Sequence, residues 1–210
     1  MVRHGLTART GVKLSGWTPG IQLNRIGVAQ AEDLVARFEG VPLDAVYASP
    51  LERTAQTAEP LARVRGLKVR TREEIGEVRY GSIEGKSLKV LAKSKLWQDL
   101  RSWPSNVRFP DGESLRETQA RAVGAIERLR DAHPDGSVAV FSHGDWIRLA
   151  MAHFMGVHVD LYRRLMVEPV SVSVVHLTSY GPLVWRLNDT GNLADIKRPY
   201  AHPPKGRGGR

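Results

Sequence analysis

Ser137-Val138-Ala139-Val140-Phe141-Ser142-His143-Gly144 is the stretch that decides the fold. Its apolar run is continuous, with Gly136 before it and Ser142-His143-Gly144 after it. A strand with one wet face alternates apolar and polar side chains, so an unbroken run of this length reads as a strand buried on both faces. Such a strand belongs in a three-layer α/β sandwich, a mostly parallel central sheet flanked by helices. Ligands in sheets of this kind sit beyond the carboxyl ends of the strands. His143 occupies that position.

Outward from this strand, helical and extended segments alternate. Leu43 to Ala48 reads as a short buried strand ending at Ser49-Pro50. Asn24 caps a predicted helix to about Phe38, with Ala31, Leu34, Val35 and Phe38 at helical spacing. Leu51 to Val64 reads as a second helix, closed near Gly66. Ser114 with Glu117 three residues on is a capping-box signature; it opens a helix with Leu115, Ala122, Ile126 and Leu129 on one side. A helix from about Trp146 to Met155 follows His143. Val170 to Leu177 and Leu183 to Leu187 read as late strands, with a hairpin across Ser179-Tyr180-Gly181-Pro182. At the other end of the chain, only Met1 and Val2 precede Arg3, against about five residues in an ordinary strand. That leaves two readings, a very short first strand or a start upstream of Met1. If this strand neighbours the one ending at His143, His4 and His143 project into one crevice.

The 210 residues, 41% hydrophobic and 25% charged, describe one ordinary globular domain, here residues 1–196. With no cysteine, disulfides, thiolate zinc sites and cysteine nucleophiles are excluded. No stretch approaches the ~18 apolar residues of a spanning helix, and MVRHGLTART lacks the apolar core of a signal peptide. The expectation is a cytoplasmic protein without membrane contact. Net charge is +9, but Lys197, Arg198, Lys205, Arg207 and Arg210 of the tail 197–210 supply five of those charges and leave +4 for the body. The tail, rich in Pro, Gly and basic residues, reads as flexible. The mildly basic body suits an anionic substrate. Nucleic acid is disfavoured as a partner, because no helix-turn-helix or aromatic platform is found. The sequence does not speak to oligomeric state.

Four motifs carry the chemistry. They are Arg3-His4-Gly5; Ser49-Pro50-Leu51-Glu52-Arg53-Thr54-Ala55-Gln56-Thr57-Ala58; Glu77-Val78-Arg79-Tyr80-Gly81 with Glu84-Gly85; and Ser142-His143-Gly144. In this order they resemble the histidine phosphatase superfamily, which includes the phosphoglycerate mutases, over about residues 1 to 190. Glu168 to Val175 and Leu187-Asn188-Asp189-Thr190-Gly191 resemble a bacterial phosphomutase or phosphatase subgroup within it. The resemblance implies a phosphoglycerate mutase-like fold and a phosphohistidine route on a small phosphorylated substrate, with inorganic phosphate or another oxyanion able to occupy the site. Phosphoryl transfer spreads charge over three oxygens, so it is catalysed mainly by positioning and electrostatics. Arg3 and Arg53 offer forked donors to those oxygens. His143, if protonated, adds another. Neutral His4 supplies the attacking lone pair, with its other nitrogen held by a backbone carbonyl in the family. Glu77 is the candidate general acid. Burial would raise its pKa toward neutrality, and nearby arginines would oppose that.

The substrate-side residues implied are Thr10, Ser15, Gly16 and Gly144. Thr10 stands where the family has an asparagine. Arg9 adds a positive group near the mouth or is solvated. Trp17 either packs or stacks on a ligand, Glu84 is structural, and Glu113 either touches the site or starts a helix. Lys86 to Phe109, with Lys86, Lys89, Lys93, Lys95, Arg101 and Arg108, should cover the mouth. It lacks the paired arginine run of the mutases, which favours hydrolysis by water. No metal or nucleotide cofactor is implied. The predicted activity is therefore that of a metal-independent phosphomonoesterase. A phosphoglycerate-type phosphomutase and a non-catalytic polyanion-binding protein are the alternatives.

Overall fold

Alternate residues of the Val138–Phe141 run feed two separate cores. Ala139 and Phe141 pack with Val2, Val46, Leu34 and Leu61, while Val140 packs with Tyr47, Leu115, Leu129 and Ile147. Successive side chains of a strand point to opposite faces, so a run without polar residues demands cover on both. The computed structural model describes residues 1–191. Residues 192–196 of the expected domain and the expected flexible tail, 197–210, lie outside the described residues.

The strands are β1 (Val2–Arg3), β2 (Ala45–Ala48), β3 (Val69–Thr71), β4 (Val138–Ser142), β5 (Val172–Thr178) and β6 (Gly181–Asp189). The α-helices are α1 (Arg25–Arg37), α2 (Glu52–Val64), α3 (Leu88–Leu91), α4 (Lys95–Ser102), α5 (Leu115–Ala132) and α6 (Gly144–Phe154). The strands form one sheet in the order β3-β2-β4-β1-β5-β6. β3, β2, β4 and β1 run parallel, and β5 and β6 join antiparallel at one edge. Side chains of α1 and α2 share the core on one face; those of α5 and α6 share the core on the other. Asn24 caps α1 by accepting from the Gly27 N–H, and Ser114 and Glu117 form the expected capping box of α5.

Several elements differ from the sequence reading; β2 and β5 each start two residues later, at Ala45 and Val172. α6 begins at Gly144, two residues before Trp146, because His143 already has extended backbone and serves as its N-cap. β6 takes in Gly181 and Pro182, so the hairpin turn shrinks to Ser179-Tyr180. β3 carries a single apolar residue, Val69, and its edge position gives it no hydrophobic signature. Among the described residues, no helix is long and apolar enough to cross a membrane.

β1 is two residues long and nevertheless central. Val2 pairs with Phe141 on one side and with Val172 on the other. The His4 N–H donates to Ser142 O at 3.0 Å, the Arg3 N–H to Ser171 O at 3.2 Å, and the Met1 amino group to Ser173 O at 2.8 Å.

Candidate active site

The register Arg3↔Ser142 sets His4 and His143 side by side at the carboxyl ends of β1 and β4. Their rings meet edge to face with centroids 5.3 Å apart. The turn after His4 lies against the first turn of α1. A Cβ on Gly5 would sit 2.7 Å from Gly27 O, and one on Gly27 would sit 2.0 Å from Leu6 O. Both approaches are backbone to backbone, so neither position tolerates a side chain. The Gly5 N–H donates to Thr57 Oγ1 of α2 at 3.0 Å. Nδ1 of His4 is 2.7 Å from Gly5 O. A carbonyl can only accept, so Nδ1 carries the hydrogen and Nε2 keeps the lone pair. Burial, followed by the charges of Arg53 and Arg3, holds this imidazole well below its usual pKa and therefore neutral.

Arg53 enters from the first turn of α2 and is 1% exposed. Its Nη2 donates to Gly16 O at 2.8 Å and lies 3.0 Å from Nδ1 of His143. Since a guanidinium only donates, His143 Nδ1 accepts and Nε2 donates to Ser49 Oγ at 2.7 Å. Burial first, then Arg53, keeps His143 well below its usual pKa. The form held here is thus neutral, rather than the protonated donor considered from sequence. Gly16 has φ +49°, and a Cβ there would lie 2.5 Å from the Glu84 carboxyl carbon, so this carbonyl can be presented to Arg53 only by glycine. Arg3 donates from Nη1 to Val167 O at 2.7 Å. That leaves Arg3 Nε, Arg53 Nε and Arg53 Nη1 buried with no partner. Unpaired buried donors are costly, about 1–3 kcal/mol each and more when charged; an anion would satisfy them.

Glu77 sits on the loop before this pocket, 9% exposed. Its Oε1 accepts from the N–H groups of Val78, at 2.9 Å, and Trp146, at 3.3 Å in the first turn of α6. Burial raises its pKa to about 7, with Asp145 adding to the rise, and this outweighs the Val78 amide, Arg53 and Arg3. Burial therefore wins the conflict foreseen from sequence. Trp17 packs rather than facing the cavity: it lies where a Cβ of Gly76 would be, Arg79 stacks 4.0 Å from its ring centroid, and its Nε1 donates to Glu77 O at 2.7 Å. Glu84 accepts from the Trp17 and Tyr80 amides, the structural role expected.

Arg3, His4, Arg53, Glu77, Thr10, Ser15, Gly16 and Gly144 all line one cavity of about 200 Å³. His143 is fully buried behind them. Glu113 does not line the cavity and neither does Arg9. Over the mouth, Leu88, Trp97 and Leu100 contribute, whereas Lys86, Lys89, Lys93, Lys95, Arg101 and Arg108 do not. A cavity of about 240 Å³ at the amino end of β4 contains neither His4 nor Arg53.

Sequence reasoning missed Ser49, Lys13, Tyr80, Asp145, Arg148 and Arg163. The last five line the cavity. Asp145 accepts from Tyr80 OH at 2.7 Å and from Arg148 Nη1 at 2.8 Å. An Asp–Arg pair at i,i+3 directly after Ser142-His143-Gly144 was the available signal for two of them.

Residues 1–190 match the family described as histidine phosphatase superfamily (branch 1), and the chain belongs to it. It is an enzyme of the phosphatase type, in a family that also holds mutases. Phosphoserine phosphatase 1 of Hydrogenobacter thermophilus is 30% identical over 83% of each chain. "Probable phosphoglycerate mutase GpmB" of Yersinia pestis is 25% identical over 95% of this chain and 94% of its own. The fold is that of the Entamoeba histolytica phosphoserine phosphatase crystallised with 3-phosphoglyceric acid, with a TM-score of 0.82 at 22% identity, covering 91% of this chain and 96% of that one.

Proposed function

We propose that the chain is a metal-independent phosphomonoesterase that works through a phosphohistidine on His4. One observation carries this reading: Nδ1 of His4 is committed to Gly5 O, leaving the Nε2 lone pair in a cavity whose base holds three unpartnered arginine N–H groups. The phosphate oxygens take up those donors, together with the N–H of Gly144, which opens α6 and lines the cavity. Arg3 and Arg53 thereby supply the charge stabilisation that a metal would otherwise bring.

Nε2 attacks phosphorus as the bond to the leaving oxygen breaks. Glu77, protonated near neutral pH, passes its proton to that oxygen. Water then attacks the phosphohistidine, Glu77 takes a proton from it, and inorganic phosphate leaves with His4 restored. The cavity of about 200 Å³ suits a small phosphorylated substrate, in keeping with a relative named for phosphoserine.

The test is hydrolysis of an aryl phosphate in excess chelator by wild type and by His4→Ala. Wild type should release phosphate and the variant should not. Undiminished turnover by His4→Ala would remove the nucleophile assignment. Phosphate migration within a phosphorylated acid, with little free phosphate, would instead identify a mutase, as the name of one relative suggests.

A further inference from the structure

Arg121, in the second turn of α5, does not line the cavity, yet every N–H of its guanidinium is engaged. Nε meets Glu113 Oε1 at 3.0 Å and Nη2 meets Oε2 at 2.9 Å. Nη1 donates to Glu74 O at 2.8 Å and to Gly76 O at 2.9 Å. The second N–H of Nη2 donates to Glu77 O at 3.0 Å. Five donors thus meet five acceptors, and three of those acceptors are carbonyls of the loop that ends on Glu77.

We propose that Arg121 and Glu113 form a charge-neutral clamp that positions Glu77 to protonate the leaving group, a role that rests on the phosphatase reading above. Arg121 and Trp17 Nε1 hold the Glu77 carbonyl from two directions. The Val78 and Trp146 amides hold Oε1. With its backbone and one carboxyl oxygen fixed, the residue has Oε2 left to meet the substrate. A lysine could not replace the clamp, because three donors on one nitrogen cannot span three carbonyls and a carboxylate. Glu113 has a separate task. An uncompensated guanidinium beside Glu77 would favour the carboxylate and empty it of the proton it must deliver. The bidentate Glu113, which also lies 3.7 Å from Arg79 Nε, offsets that charge, leaving burial first and then Asp145 to favour the protonated acid against the Val78 amide, Arg53 and Arg3. Arg121 is therefore a positioning residue: it acts through Glu77 and touches no substrate.

A clamp that only ties α5 to the loop would affect all substrates alike. One that aims an acid matters, in the steps up to loss of the leaving group, only where that group needs a proton. The experiment compares 2,4-dinitrophenyl phosphate, whose phenolate leaves unprotonated, with the alkyl phosphate that wild type turns over fastest in a panel beginning with phosphoserine. Arg121→Lys should lower kcat/KM, which reports only the steps up to departure of the leaving group and not the Glu77-assisted hydrolysis both esters share, about 10²-fold on the alkyl phosphate and less than about threefold on the dinitrophenyl ester. Its affinity for vanadate should be unchanged. Glu113→Gln should move the alkaline limb of the alkyl-phosphate profile down by about one pH unit. Equal losses on both esters, or no loss, overturn the clamp and leave the phosphatase reading standing. A wild type that hydrolyses neither ester overturns both. Should Arg121→Lys fail to fold in a thermal melt, Glu113→Gln decides, and an unmoved limb overturns the clamp.

Discussion

Arg53 sets its Nη2 3.0 Å from Nδ1 of His143, and that contact fixes where His143 keeps its proton. The proton is on Nε2, facing Ser49 Oγ at 2.7 Å. The same guanidinium holds Gly16 O and keeps Nε and Nη1 free for an anion. One side chain therefore joins the loop at Gly16, the second histidine and the phosphate position.

Arg53→Lys retains the charge and loses the fork. We expect kcat/KM to fall about 10²-fold and vanadate to bind more weakly. The ¹⁵N resonances of His143 should lose the pure Nε2–H pattern. Wild-type kcat/KM in this variant would show that charge alone suffices at this position.

Glu77 must be protonated to act, and its pKa stands at about 7. Turnover of an alkyl phosphate should therefore decline above pH 7, approaching tenfold per unit. Glu77→Gln should abolish that limb and lower kcat by about 10²–10⁴-fold. A limb that persists in Glu77→Gln would assign the acid to another group.

The same shift has a sign in stability. Unfolded, this carboxyl titrates near 4.5; folded, at about 7. Between those values the folded state binds a proton that the unfolded state does not, and the resulting stabilisation is lost as pH rises through 7. Above pH 7 the buried carboxylate costs stability, on the order of 3 kcal/mol. Glu77→Gln should raise Tm at pH 8 relative to wild type and have little effect at pH 4. Equal Tm values at pH 8 would contradict the burial argument.

Gly27 does not line the cavity, but a Cβ there would fall 2.0 Å from Leu6 O. Gly27→Ala must push the turn after His4 away from α1, at about 1–3 kcal/mol. Thermal melts should show the loss, and vanadate affinity should fall with it. A variant with wild-type Tm and vanadate binding would mean the two backbones separate freely.

The sequence made the sheet legible where its physics is local. The Val138–Phe141 run announced two covered faces, and Asn24 and the Ser114/Glu117 pair announced their caps. The phosphate cradle was legible because Arg3, Arg53, Glu77 and His143 sit in motifs. Asp145, Tyr80 and Arg148 were not, since their partnership joins a loop to a helix start across the fold. The role of Glu113 stayed open for a similar reason: its meaning depends on Arg121, one helix face away, and on carbonyls that sequence does not display. The protonation state of His143 followed only from the direction of a hydrogen bond.

β1 also sets an order of events for synthesis. It is made before every other strand of the sheet, yet Val2 finds its partners in Phe141 and Val172. Until both have emerged, the segment bearing His4 has nothing to dock against, and contacts so distant in sequence form late. The nascent chain can build β2, β3 and their helices while its reactive histidine remains unplaced. Assembly of the site thus waits for β5, so products of premature termination before β5 should be inert toward phosphate esters.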